Sequence, residues 1–173
     1  MSKVVHKDFV IPIKGLSVGK HEYAFAIDSA FVQEFGETLI SEAALQADVV
    51  LEKEATWIKI SGTVKGKVVS ECDRCLEDLE IPVNTSLNLI VKFVRSVGEE
   101  ESDDVMILDP SEAELDLSQF LYDYICLSLP LQRVHPKGKC NPVMLNKLKD
   151  LGLGESADKK TDSPFEKLKD LLN

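Results

Sequence analysis

Long apolar runs are missing from this chain of 173 residues, and no stretch has the length to span a bilayer as a helix. Basic residues are missing from one whole segment. Between Ser96 and Gln132 there is no Lys or Arg, against ten acids running from Glu99 to Asp123. The remainder of the chain balances, so this segment carries the entire net charge of −10. Such a run repels phosphates; it is read first as solvated surface and second as a face that attracts a basic protein. Aromatics are sparse at 6%, and the one tryptophan, Trp57, lies within a β-rich run, which places it in the core rather than on a stacking platform. There is no G-x-S-x-G elbow, no glycine-rich phosphate loop and no H-E-x-x-H helix, so nucleophilic, nucleotide and zincin chemistry are without a motif. His6 and His21 stand alone. The N-terminal stretch is polar and lacks the apolar centre of a signal peptide, so the expected compartment is the cytoplasm. There, four cysteines argue for a metal site or a dithiol rather than a disulfide framework.

What is present is mainly strand pattern. Residues 21–27 alternate, with Tyr23, Phe25 and Ile27 in step, and 44–52 do the same with Leu45, Ala47, Val49 and Leu51. Asp28 or Ser29 caps a short helix closed by Gly36. Residues 56–70 look like a hairpin turning at Lys65-Gly66, and residues 79–94 form a long strand. Residues 8–13 are a looser strand, whose Pro12 suggests an edge or a bulge. A short apolar stretch at 105–108 adds an edge strand. The period then becomes helical over 117–128, with Asp116 and Gln119 spaced as a capping box and Pro130 as the stop. A further helix is expected over 141–151. Residues 1–151 thus form one domain, followed by a linker over 152–163 and an amphipathic helix over 164–173. The fold class is α+β: an antiparallel sheet, either open or barrel-like, with one buried helix and peripheral C-terminal helices.

One short stretch carries chemistry. Cys72-Asp73-Arg74-Cys75 has the spacing of a structural zinc half-site, and also of a redox dithiol. Its place at the tip between two strands suits a metal knuckle. A thioredoxin-type dithiol opens a helix after a parallel strand, and no such unit is visible. Two further ligands are offered by His135 and Cys140, spaced His-x4-Cys in a turn-rich loop. Cys72, Cys75, His135 and Cys140 can therefore form a Cys3His site for one structural zinc, provided the fold brings the halves together. The alternatives are a reduced surface pair beside an unrelated His and Cys, or a dithiol oxidoreductase using Cys72 and Cys75, with Arg74 favouring the thiolate. Cys126, inside the apolar helix, is a small core residue.

Several of these residues together resemble a known family. Cys72-x-Arg74-Cys75-Leu76, a strand, an acidic stretch, Asp116-Leu117 opening a helix, and the ending Ile125-x-Leu127-Ser128-Leu129-Pro130 are similar to the YceD family. These are bacterial and plastid proteins described as large ribosomal RNA subunit accumulation proteins. His135 and Cys140 match later His/Cys positions of the family, and Ser163-Pro164-Phe165 with Leu168 and Leu171 resembles its closing helix. The likeness covers roughly residues 60–173. Tyr124 departs from it by standing where many members carry an acid, and Asn141-Pro142-Val143-Met144 replaces the further cysteines of some members. The resemblance implies a non-enzymatic role in large-subunit production or assembly. Together with the acidic charge, it implies a basic ribosomal protein or ribosome-assembly factor as partner, with direct RNA binding disfavoured and no membrane.

Overall fold

The computed structural model describes residues 5–6, 9–36, 39–94 and 104–152. Its strands are β1 (Val5–His6), β2 (Val10–Pro12), β3 (Gly19–Asp28), β4 (Glu42–Lys53), β5 (Trp57–Glu71), β6 (Asp78–Phe93), β7 (Val105–Leu108) and β8 (Glu114–Asp116). The helices are α1 (Ser29–Gln33), α2 (Ser118–Ser128) and α3 (Pro142–Asp150). The main sheet has the order β1-β3-β4-β5-β6-β7, and β2 pairs with β8 in a separate ribbon. Among the described residues β1 and β7 remain open edges, so the sheet does not close into a barrel.

The centre of the sheet follows from alternation. Leu45, Ala47, Val49 and Leu51 of β4 point inward, as do Ile58, Ile60, Val64 and Val68 of β5 and Ile81, Val83, Leu87, Leu89 and Val91 of β6. The strands β3 to β6 are antiparallel neighbours, but β1 and β7 join the sheet parallel to β3 and β6, against the all-antiparallel expectation. Alternation fixes a strand's face; it does not fix its direction.

The expected hairpin at Lys65-Gly66 is absent. β5 runs unbroken through both residues, with Gly66 opposite Leu45 on one side and Val83 on the other. The glycine serves close approach rather than reversal. A Cβ on Gly62 would lie 2.2 Å from the Asp48 carbonyl oxygen, and one on Gly66 equally close to that of Ala44.

The inner face is covered by α1, α2 and the β2–β8 ribbon. Asp28 accepts the Phe31 N–H at 3.1 Å to start α1, and Phe31 packs edge-on to Phe35. Leu121 and Ile125 of α2 are fully buried beside Leu115, Leu117 and Ile11, each contributing about 1.5–3 kcal/mol. The Asp116–Gln119 capping box does not form. Asp116 is held in β8 opposite Val10 and accepts the Ser118 N–H, while Gln119 donates forward to Asp123. Trp57 is also not in the core: it is half-buried on the outer face of β5, alternating with buried Ile58 and Ile60. Cys126 is half-buried and packs against the core, where burial raises its pKa. The linker beyond Gly152 and the last helix lie outside the described residues, as does part of the acidic segment. No described helix is long and apolar enough to cross a membrane.

Candidate metal centre

β5 and β6 are joined by the turn 72–77, which contains the first two cysteines. The Cys72 N–H donates to Glu77 O and the Leu76 N–H to Cys72 O, both at 2.9 Å, so the chain reverses tightly just beyond the Glu71–Asp78 strand pair. Leu76 takes a φ of +60°, the one non-glycine in the left-handed region among the described residues. After α2, Leu129 adopts extended backbone before Pro130, and the chain returns over this turn.

An ion pair sets the return. The Asp73 N–H donates to Arg133 O at 2.7 Å, while Asp73 accepts the Arg133 backbone N–H at 2.7 Å and its guanidinium at 2.9 Å. The backbone N–H and guanidinium of Arg133 hold the Asp73 carboxyl below its usual pKa. A turn at Gly138, with Lys139 N–H donating to Pro136 O, then delivers Cys140. The next residue, Asn141, caps α3 by accepting the Val143 N–H, and its side chain donates to Glu77.

The predicted halves meet. One ligand atom from each of Cys72, Cys75, His135 and Cys140 lies within 4.8 Å of all the others, so the group can hold a metal ion. Cys72 Sγ is 3.9 Å from Cys140 Sγ, and Cys75 Sγ is 3.4 Å from His135 Nδ1. Tetrahedral zinc bonds of about 2.3 Å to sulfur and about 2.0–2.1 Å to nitrogen require edges of about 3.8 Å and about 3.5 Å. The two distances fit. His135 Nε2 lies 3.0 Å from Asp78 O, the arrangement in which one ring nitrogen donates outward and leaves Nδ1 as a ligand. The three cysteines are buried at 0%, 2% and 6% exposure, packed against Leu79, Val134, Met144 and Leu145. A closed, thiolate-rich pocket is the setting of a structural site.

The electrostatics point the same way. Burial raises the pKa of the Cys72 thiol, but hydrogen bonds to its sulfur from the Arg74, His135 and Cys75 N–H groups and the Cys75 thiol outweigh this and bring it down to about 6. Burial and the neighbouring sulfurs push Cys140 up, and the sulfurs of Cys72 and Cys75 raise His135. One negative charge is accommodated and a second is resisted. A divalent cation removes that resistance and lets the remaining thiols ionise.

The supporting residues Asp73, Arg133, Ser70, Glu77 and Asn141 were not visible as a set in the sequence. Ser70 is buried, donates to Leu39 O at 2.6 Å and accepts from Arg133 at 3.4 Å. The one available signal was an acid inside the knuckle and an arginine two residues before the histidine. The described acids of the 96–132 segment, Asp104, Asp109, Glu112, Glu114, Asp116 and Asp123, are all exposed. Tyr124, at the family's acid position, places its hydroxyl 2.9 Å from Asn88 O and 3.0 Å from Asp104, linking α2 to β6.

An open α+β sheet whose central turn and a distant loop meet in a buried Cys3His cluster defines a small knuckle-bearing protein with a structural metal-type site. The family model described as large ribosomal RNA subunit accumulation protein YceD matches residues 60–172, a stretch that includes all four cluster residues. The chain belongs to this family. Uncharacterized proteins of Mycobacterium bovis and of two Mycobacterium tuberculosis strains are 27% identical to it over 92 residues, covering 53% of this chain and 44% of theirs. The chain therefore spans less than half the length of these curated relatives. No solved structure matches it.

Proposed function

We propose that the protein is a non-enzymatic accessory factor in large-subunit ribosomal RNA accumulation or ribosome assembly, held in shape by one zinc ion. The observation that carries this reading is the family match across the segment containing the Cys3His cluster. When bound, zinc supplies a cross-link between the β5–β6 turn and the loop 131–140, and no chemistry is asked of it. The exposed acids on the α2 side support a basic ribosomal protein or assembly factor as partner.

The lowered Cys72 pKa is the observation that favours a dithiol oxidoreductase. Burial argues against it: Cys72 and Cys75 are at 0% and 2% exposure, and disulfide exchange needs an attacking sulfur that substrate can reach. The hydrogen bonds that favour the thiolate serve a metal ligand equally well.

Depletion of the protein in its host tests the reading, with the ratio of large- to small-subunit ribosomal RNA as the readout. The large-subunit species is expected to fall; an unchanged ratio refutes the function. Native co-purification is expected to enrich a ribosomal protein or assembly factor. Elemental analysis of protein prepared without chelator or acid is expected to give about one zinc per chain. Metal-free protein that is stably folded removes the zinc.

A further inference from the structure

The outer face of the main sheet carries a strip of charge opposite to that of the chain. Residues 57–67 of β5 send Trp57, Lys59, Lys65 and Lys67 outward, and residues 82–92 of β6 lie beside them in register, with Lys92 opposite Trp57. Neither stretch contains an acid, although the whole chain has a net charge of −10. All four lysines are exposed. On the flank, Glu52 of β4 stands opposite Lys59 but pairs with Lys20 at 3.7 Å. Lys67 alone meets an acid of β6, Glu80, just beyond the strip.

Between the lysines the strip offers side chains that suit nucleotides. Trp57 lies half-buried in a shallow groove with Lys59, Asn88, Ile90 and Lys92, an aromatic ring set among cations and an amide. Ser61 and Asn88 are paired neighbours along the same face, as are Thr63 and Ser86. Ten residue steps at about 3.3 Å make the strip about 33 Å long, room for several nucleotides of an extended strand. The face presents no helix or protruding ribbon to enter a duplex groove, whereas a flat sheet with a ring and flanking lysines is suited to unpaired bases.

We propose that this strip binds single-stranded RNA, with Trp57 as the stacking platform and Lys59, Lys65, Lys67 and Lys92 as phosphate contacts. The choice of RNA over DNA rests on the ribosomal reading above; the preference for a single-stranded polyanion rests on the strip alone. The net charge is then a poor guide, because the acids lie elsewhere.

The test uses the full chain and a short fluorescent oligouridylate, titrated between about 50 and 200 mM salt. Trp57 is the only tryptophan, so its emission reports on the site directly. Saturable quenching is expected, with a salt slope of about −2 to −3 for three or four phosphates. Trp57→Ala should weaken binding about tenfold while leaving the slope unchanged, and Trp57→Phe should restore most of the loss. Lys59→Gln with Lys92→Gln should lower the slope by about 1.4. The proposal is overturned by absence of binding, by binding insensitive to all these variants, by equal affinity for duplex, or by an acidic protein that takes the strip and is not displaced by oligouridylate. Equal affinity for oligothymidylate overturns the RNA assignment. Depletion and the oligonucleotide titration are separate readouts: normal ribosomal RNA ratios with intact binding would refute the function and leave the surface standing.

Discussion

Replacing Gly66 with alanine forces two central strands apart where their backbones lie closest. The new Cβ would sit 2.2 Å from the Ala44 carbonyl oxygen and 2.8 Å from Leu45 Cα. The closest ordinary C···O approach is about 3.3 Å, so the overlap is about 1 Å. Both obstructing atoms belong to the backbone of β4, and no side-chain rotation relieves them. Gly66 also has a φ of +146°, a conformation that costs a non-glycine residue about 1–3 kcal/mol. Overpacking adds about 1–3 kcal/mol, giving about 2–6 kcal/mol in all. Against a total stability of about 5–15 kcal/mol this is a large fraction. With a urea slope of about 2 kcal/mol per molar, the unfolding midpoint should fall by about 1–3 M, followed by Trp57 emission and far-ultraviolet circular dichroism. Lys65→Ala, on the exposed face next door, should stay within about 0.5 kcal/mol. Gly66→Asn separates the two meanings of the glycine. A hairpin turn would accept asparagine, whereas close approach predicts a loss at least as large as for alanine. A Gly66→Ala or Gly66→Asn protein as stable as the parent refutes the reasoning.

Other expectations follow from the same geometry. Cys140→Ser should lower bound zinc well below one per chain and make the unfolding midpoint insensitive to chelator, as read by elemental analysis and urea titration. Chelation of the parent should raise amide hydrogen exchange in α3, which has no buried residue, while leaving the centres of β4 and β5 protected. Ser70→Ala removes the buried donor to Leu39 O and should cost about 1–3 kcal/mol in urea unfolding. Burial raises the Cys126 pKa, so the folded state holds that proton more tightly than the unfolded chain. This contribution is complete below the unfolded thiol pKa of about 8.5 and is lost as pH rises through the higher folded value. Urea midpoints measured against pH should therefore fall more steeply above about pH 8.5 for the parent than for Cys126→Ala.

The legible parts of the chain were those whose signal is local. Phe25 and Ile27, and Leu45 through Leu51, alternate because one face of each strand is buried, and the sheet bears this out. The types and spacings of Cys72, Cys75, His135 and Cys140 were legible because metal ligands are few and distinctive. Their convergence depends on Asp73 meeting Arg133 across 60 positions, which no local pattern encodes. Lys65-Gly66 misled because a glycine between two β-rich runs satisfies the grammar of a turn and of a close approach equally. Trp57 misled for a different reason. Its parity, shared with Lys59 and opposed to Ile58, placed it outside, but its size suggested the core. Asp116 had the right spacing for a cap and was instead taken up by pairing with Val10.

The net charge carries a similar lesson about averages. Glu114, Asp116 and Asp123 sit on β8 and α2, the layer that covers the inner face of the sheet, whereas the lysine strip lies on the outer face. One layer of packed secondary structure is about 10 Å thick, and at physiological salt the Debye length is about 8 Å. Each face therefore meets its surroundings mainly with its own charge, not with the sum over the chain. A chain that is acidic overall can present a basic protein with one surface and an RNA strand with the other. Lowering the salt couples the faces again, so the acids would then oppose RNA at the strip. The affinity of the strip for oligouridylate would consequently rise less steeply on dilution of salt than its own lysines alone would dictate, and neutralising Glu114 and Asp123 should restore the steeper slope.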